Sequence, residues 1–148
     1  MYKVRGKVKF VKKLTGNFRG MTIFPYILLS DKYVDPDNIP PKLLRHENTH
    51  IFQEVELALI LFYIMYYALV VYYFPIAYVK YALPLKKSPD KTWWKVFKQR
   101  NGIAYYIAYR MIWFEREAYA NDQDPDYLLT RKPYSFFKYW KKRPGNKY

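Results

Sequence analysis

Two histidines, His46 and His50, stand four residues apart in the segment RHENTH, and the 148-residue chain contains no others. In a helix, positions i and i+4 share a face, so both imidazoles can direct a nitrogen at one Zn²⁺ ion. Glu47 is offset from the two ligands by one residue, where its carboxylate can deprotonate a zinc-bound water as a general base. The pattern H-E-x-x-H therefore predicts a catalytic zinc site on a helix.

A catalytic zinc needs a third protein ligand, which must be a carboxylate because the chain has no cysteine and both histidines are already used. Residues 114–121 contain two candidates, Glu115 and Glu117. Because they are two residues apart, they lie on different faces of a helix, and only one of them can face the metal. Glu54 is a poorer candidate, since three ligands one turn apart on a straight helix cannot converge on a tetrahedral ion.

These two segments resemble the gluzincin-type zinc metallopeptidases. The segment with the histidines matches their H-E-x-x-H motif, and residues 117–121 (EAYAN) look like their downstream segment. The resemblance implies that Glu117 is the third zinc ligand and that the substrate is a peptide or protein. It also implies that Asn121, where the group usually has aspartate, orients a zinc-binding imidazole without contributing charge. The wider layout is similar to small uncharacterised bacterial and phage proteins with the same motif, and that likeness implies no activity.

Three further side chains are candidates for substrate chemistry. Arg110 lies two helical turns before Glu117, so it shares that face and is predicted to bind a substrate carbonyl or carboxylate. Tyr109 or Tyr119 is predicted to stabilise an oxyanion through its hydroxyl. A packing role for the tyrosines, of which the chain has 18, and an ion pair between Arg110 and an acid such as Glu54 are the structural alternatives.

The chain that positions these residues has the pattern of an α+β fold, mainly α, with a small N-terminal β-sheet. Residues 2–10 alternate apolar and basic side chains, which is typical of a half-buried strand. Residues 21–30 are apolar and predict a second strand, which Pro25 confines to a sheet edge or a bulge. An open edge there could align a peptide substrate by β-augmentation.

An antiparallel pair of long helices is predicted to follow the sheet. The first begins at about Pro41 and extends into the 70s, and the second runs from about Asp90 to Asn121. Short C-terminal helices are predicted over residues 126–131 and 133–140. The length of the chain fits a single domain over residues 1–148, which the resemblance identifies as zincin-like.

Residues 57–79 contain no charged residue, so this window of 23 residues is long enough to cross a bilayer. A single crossing, however, would separate Glu117 from the histidines, and the charged residues before Glu117 make a poor second span. The sequence therefore favours a helical hairpin that forms a soluble core or docks, through this Tyr-rich helix, on a membrane surface or a protein partner.

The net charge of +14 predicts attraction to phosphates or anionic lipids. Residues 1–19, which include the predicted basic N-terminal strand, hold seven basic and no acidic residues, and so do residues 127–148, which include a basic tail at 141–148. The competing hypothesis is therefore a non-enzymatic, basic structural or nucleic-acid-associated protein, with weak nucleic-acid binding through these arms and zinc at most structural.

The same composition bears on location. The absence of cysteine excludes disulfides and thiolate metal sites. The first ten residues carry Lys and Arg but no uninterrupted apolar run, so the sequence predicts no signal peptide. The expected location is intracellular and cytoplasmic, and peripheral membrane contact through residues 57–79 is the alternative left open.

Overall fold

The computed structural model describes residues 6–14, 18–86 and 92–140 and has an α+β fold that is mainly α-helical. Its three strands are β1 (Lys7–Val11), β2 (Gly20–Ile23) and β3 (Tyr26–Ser30). The central strand β3 pairs in parallel with β1 and antiparallel with β2, so β2 is an edge strand. Residues 1–5 of the predicted N-terminal strand and the basic tail 141–148 lie outside the described residues.

The apolar run 21–30 forms two strands, and the prediction of one continuous strand was wrong. Pro25 lies in the turn between β2 and β3. Because proline has no backbone N–H to give to a sheet, a turn accommodates it better than a strand interior does. The resulting hairpin places the edge strand β2 against the helix that carries the histidines.

The first long helix is also divided. Helix α1 is Pro41–Glu56 and α2 is Ile60–Ala77, and a π-helical turn at Tyr78–Ala82 continues α2. The chain bends between α1 and α2, where Ala58 and Leu59 have φ angles of 50° and 59°. The prediction of one continuous helix into the 70s was therefore wrong. The bend lets α1 pack on the sheet, while α2 packs on α3.

A similar bend divides the second long helix. Helix α3 is Trp93–Met111 and α4 is Trp113–Asn121, and the fully buried Ile112 between them has an extended backbone. Helices α2 and α3 pack together as the predicted antiparallel pair, whereas α4 packs on α1. The predicted helix start at Asp90 lies outside the described residues. The short C-terminal elements are α5 (Tyr127–Thr130) and a 3₁₀ helix at Ser135–Tyr139.

Apolar packing holds α1 between the sheet and the C-terminal half of the chain. On one side, Ile51 of α1 joins a buried cluster with Ile27 and Leu29 of β3. On the other side, Phe114 of α4 and Phe62 of α2 are buried in a second cluster. The face of α1 between these two clusters carries His46 and His50, so the fold encloses the histidines between β2, α2 and α4.

Candidate metal centre

The two histidines and one acidic side chain form a buried cluster that could hold a metal ion. His46 and His50 on α1 and Glu115 on α4 place their ligand atoms within 4.8 Å of one another. The Nε2 atoms of the two imidazoles are 3.2 Å apart. His46 Nε2 is 3.4 Å from one Glu115 oxygen, and His50 Nε2 is 3.3 Å from the other. The predicted pairing of a helical His-x-x-x-His with a remote carboxylate is therefore present.

The spacing of these atoms fits a tetrahedral ion. With zinc–nitrogen and zinc–oxygen bonds of about 2.0–2.2 Å, two tetrahedral ligands lie about 3.3 Å apart. The Nε2–Nε2 separation falls at this value, and each Nε2 lies at about the same distance from a different Glu115 oxygen, while one ligand atom from each residue lies within 4.8 Å of the other two. Glu115 Oε2 is buried and accepts no hydrogen bond among the described residues; its contact is the ion pair with His46 Nε2. The chemistry of the donor set and its geometry both fit a divalent cation.

The electrostatics of the cluster also favour a cation. Burial disfavours the charged form of His50, but the carboxylate of Glu115 outweighs it and raises the pKa of His50 to about 9. Burial likewise favours the neutral form of Glu115, but the two imidazoles hold the pKa of its carboxyl well below the usual range. Without a metal, a proton on the imidazole balances the buried carboxylate. A bound metal would take over that role and release the proton.

A hydrogen-bonded chain behind His50 orients its ring. His50 Nδ1 lies 2.7 Å from Gln53 Oε1, so a proton on Nδ1 is donated to the amide and Nε2 is left to face the cluster. The fully buried Gln53 then donates from Nε2 to Glu117 Oε2 at 2.8 Å. Sequence reasoning missed Gln53, although its position three residues after His50 places it on the same side of α1.

Glu117, the ligand implied by the resemblance, lies behind the cluster and not in it. Its carboxylate accepts hydrogen bonds from Tyr127 Oη at 2.5 Å and from Arg131 Nε at 2.6 Å. Arg131 also pairs with Glu56 at the end of α1. The structure therefore corrects the choice between the two glutamates of α4: Glu115 completes the cluster, and Glu117 is held by a cation on the opposite face.

Replacing Arg131 by alanine is expected to lower the free energy of unfolding by about 3–5 kcal/mol, because the fully buried Glu117 carboxylate would lose its cationic partner. Urea denaturation measures this loss. The matched control is Lys132→Ala, which removes an exposed neighbouring cation and is expected to change stability by less than about 0.5 kcal/mol. Equal losses in the two variants would contradict this account of the ion pair.

Glu47, the predicted general base, is buried between α1 and the edge strand. Thr22 on β2 donates its hydroxyl to Glu47 Oε2 at 2.7 Å. The other carboxylate oxygen lies against Gly20, where a Cβ atom would overlap it. Gly20 thus lets β2 approach α1 without displacing the Glu47 carboxylate, and the contact with Thr22 fixes the orientation of that carboxylate beside the candidate metal ligands.

The remaining predicted site residues lie around the cluster. The ring of Tyr119 contacts the ring of His46, with centroids 4.3 Å apart. The guanidinium carbon of Arg110 lies 3.5 Å from the centroid of the Tyr119 ring. Asn121 donates to the Glu117 carbonyl at 2.6 Å and to Tyr139 Oη at 2.9 Å. Among the described residues, Asn121 therefore contacts Glu117 and Tyr139 and is not shown against either imidazole, and none of the three side chains lines the cavity described next.

A cavity of about 260 Å³ opens beside the cluster. Glu47 and Glu115 lie on its wall together with both histidines and Gly20 of β2. Much of the remaining wall is aromatic and comes from α2 and α3; it includes Tyr63, Tyr66, Tyr67, Tyr105 and Tyr109. Tyr66 Oη donates to Glu115 Oε1 at 2.8 Å. The candidate metal position therefore faces an accessible space, as a catalytic site requires and a closed structural site does not.

Glu54 is a second carboxylate on the cavity wall. It accepts hydrogen bonds from the Phe24 backbone N–H at 2.7 Å and from Tyr63 Oη at 3.0 Å. Burial raises the pKa of Glu54 despite these bonds. Glu54 therefore has hydrogen-bond partners outside the cluster and is not one of its three members.

No protein-family model matches this chain, and neither a curated protein nor a solved structure matches it. What the structure establishes is a possible metal site formed by His46, His50 and Glu115 in an α+β protein.

Proposed function

We propose that this protein is a zinc-dependent metallopeptidase that hydrolyses peptide or related amide bonds. The observation that carries the proposal is the joint position of Glu47 and the His46–His50–Glu115 cluster on the wall of one open cavity. A structural metal site needs neither an additional carboxylate beside it nor access for a substrate. A hydrolase needs both.

Zinc is the proposed metal because the donor set consists of two imidazoles and one carboxylate. This set is common among catalytic zinc sites, which keep a fourth position open. Magnesium and calcium favour sites made mostly of oxygen ligands. When bound, zinc supplies Lewis acidity that activates a water molecule and polarises a substrate carbonyl.

Glu47 is the proposed general base. Its carboxylate lies on the cavity wall, oriented by Thr22, and would take a proton from the attacking water and later return it to the leaving amine nitrogen. The cavity wall also offers Tyr109, whose hydroxyl is a candidate to stabilise the developing oxyanion. Tyr119, predicted for this role, lies behind His46, and Tyr109 is the better placed of the two.

The edge strand β2 is the proposed platform for the substrate. Its residues Gly20, Thr22 and Ile23 lie on the cavity wall, and its outer edge has no partner strand among the described residues. An extended peptide can pair with such an edge through backbone hydrogen bonds. This arrangement would bring the scissile carbonyl of a peptide past Glu47, which supports a peptide rather than a compact small molecule as substrate.

Removal and return of the metal test the proposal. Purified protein is expected to contain one zinc per chain by elemental analysis and to cleave members of a library of fluorescence-quenched peptides. The chelator 1,10-phenanthroline should abolish cleavage, the non-chelating isomer 1,7-phenanthroline should not, and added Zn²⁺ should restore it. Bound zinc without any cleavage would favour the structural-metal alternative, and protein that binds no zinc would overturn the proposal.

A further inference from the structure

The hairpin of α2 and α3 presents a large apolar surface to solvent. The stretch Ile60–Ala82 is long and apolar enough to cross a membrane, yet only 17% of its most apolar part is buried inside the protein. A helix that is apolar on all sides normally lies in a protein core or in lipid. The exposed side chains of α2 include Ile60, Leu61, Ile64, Tyr67, Val71, Tyr72 and Ile76.

These exposed side chains form a continuous surface. Ile60, Ile64, Tyr67 and Val71 recur at helical spacing along one side of α2 and are between 60% and 75% exposed. The opposite side of α2 packs on α3 and α4 through residues such as Tyr73 and Phe62. Apolar area of this extent on a soluble protein marks an interaction surface.

The charge of the hairpin identifies the kind of partner. Residues 57–114 contain eight basic residues and a single acidic residue. In the described part of the hairpin, the bases near its turn are Lys80, Lys86, Lys95, Lys98 and Arg100. The first turn of α3 also exposes Trp93 and Trp94, by 70% and 58%. Exposed tryptophans beside basic residues and an apolar face are the composition of a segment that sits at a lipid headgroup layer.

We infer that this hairpin docks on a lipid bilayer that contains anionic lipids, with the exposed face of α2 against the acyl chains and the basic residues against the phosphates. The hairpin docks without crossing the bilayer. The uncharged part of α3, between Arg100 and Arg110, spans only about 15 Å at 1.5 Å per residue, which is half the hydrocarbon thickness. A crossing would place the charges of α3 in the hydrocarbon.

The docked surface adjoins the cavity. Tyr67 of α2 and Tyr105 of α3 line the cavity and are also exposed, by 67% and 44%. The bilayer would therefore lie beside the cavity wall, and the chemistry in the cavity would act close to the membrane. The docking itself depends only on the outer face of the hairpin and holds whether or not the cluster binds a metal.

Sedimentation of the full chain with sucrose-loaded vesicles tests the inference. Wild-type protein is expected to bind vesicles of phosphatidylcholine mixed with phosphatidylglycerol. The double variant Ile64→Glu, Val71→Glu should bind them at least about tenfold more weakly, because two exposed apolar contacts become charges. Leu129→Glu is the matched control, since Leu129 on α5 is 61% exposed and lies outside the hairpin; it should bind like wild type.

A charge variant checks the second part of the inference. Lys95→Glu should weaken binding to the anionic vesicles by about fivefold or more and should leave binding to pure phosphatidylcholine unchanged, whereas Lys138→Glu, an exposed cation outside the hairpin, should have a smaller effect. Equal vesicle binding by the Ile64→Glu, Val71→Glu variant and wild type would overturn the inference. So would a wild-type dimer that binds no vesicles and that this double variant converts to monomer, because a second copy would then cover the face.

Discussion

Replacing Glu115 by glutamine is expected to lower the affinity of the protein for zinc by at least about a hundredfold, whereas replacing Glu117 by glutamine should leave one zinc bound per chain. Changes behind a metal ligand typically cost ten- to hundredfold in affinity, so loss of an anionic ligand itself should cost more. Glu115 lies 3.3–3.4 Å from the two imidazole nitrogens. Glu117 instead binds Gln53, Tyr127 and Arg131.

The two variants form a matched pair because both remove one fully or nearly fully buried carboxylate from the same helix. Zinc content after dialysis, followed by titration with a zinc-responsive dye, measures the affinity. Urea denaturation in parallel measures folding. Glu117→Gln should lower the free energy of unfolding by about 1–3 kcal/mol, because Arg131 loses one of its two anionic partners but keeps Glu56.

This pair of measurements decides between the two glutamates. If Glu117→Gln lost zinc while Glu115→Gln kept it, the ligand set implied by the resemblance would be right and the cluster of His46, His50 and Glu115 would be wrong. His46→Ala serves as the positive control for loss of zinc. Comparing the denaturation curves shows whether a lost metal results from unfolding. Both glutamine variants retain the shape of the original side chain, so both are expected to fold.

The sequence predicted the fold class and the helix that carries the candidate metal site because both depend on local patterns. Alternating apolar residues indicated the N-terminal strand, and the i, i+4 spacing of His46 and His50 required a helix for the two imidazoles to meet. These signals lie within a few residues of the features they predict. The antiparallel pairing of α2 and α3 was predicted because the chain has to return a carboxylate to the histidines.

The two bends in the long helices were not predictable from local signals. The bend after α1 places Ala58 and Leu59 at positive φ, although residues 57–59 contain neither glycine nor proline. The bend after α3 occurs at Ile112, which has ordinary helical propensity. In each case tertiary packing overrides local preference, because α1 packs on the sheet and α4 packs on α1.

Which glutamate completes the candidate cluster depends on residues far from it. Glu115 and Glu117 are equivalent in local sequence terms, since each is a glutamate on one turn of α4. Arg131, fourteen residues after Glu117, binds Glu117 and Glu56 and thereby holds Glu117 on the face of α4 opposite the cluster. Glu115 is left to face the histidines. A long-range ion pair of this kind has no signature in the spacing of either glutamate.

Replacing Glu47 by glutamine is expected to leave zinc bound and to lower the rate of peptide cleavage by about 10²–10⁴-fold. Glutamine has nearly the same shape and its amide oxygen can still accept the Thr22 hydroxyl, so the wall of the cavity should be preserved. It cannot take a proton from water, and that step is worth about this factor when a general base is removed. Cleavage of a quenched peptide identified from the library, measured with zinc content on the same samples, tests both parts.

Glu54→Gln is the matched control for Glu47→Gln, because Glu54 is a second buried carboxylate on α1 that lines the same cavity. Its oxygens are occupied by the Phe24 N–H and Tyr63 Oη, so it is not expected to transfer protons. Its replacement should lower the free energy of unfolding, and the rate of peptide cleavage should fall much less than it does in Glu47→Gln. Cleavage by Glu47→Gln within tenfold of wild type would remove Glu47 from the mechanism. Loss of zinc in that variant would instead make Glu47 part of the metal site, which its position beside Thr22 and Gly20 argues against.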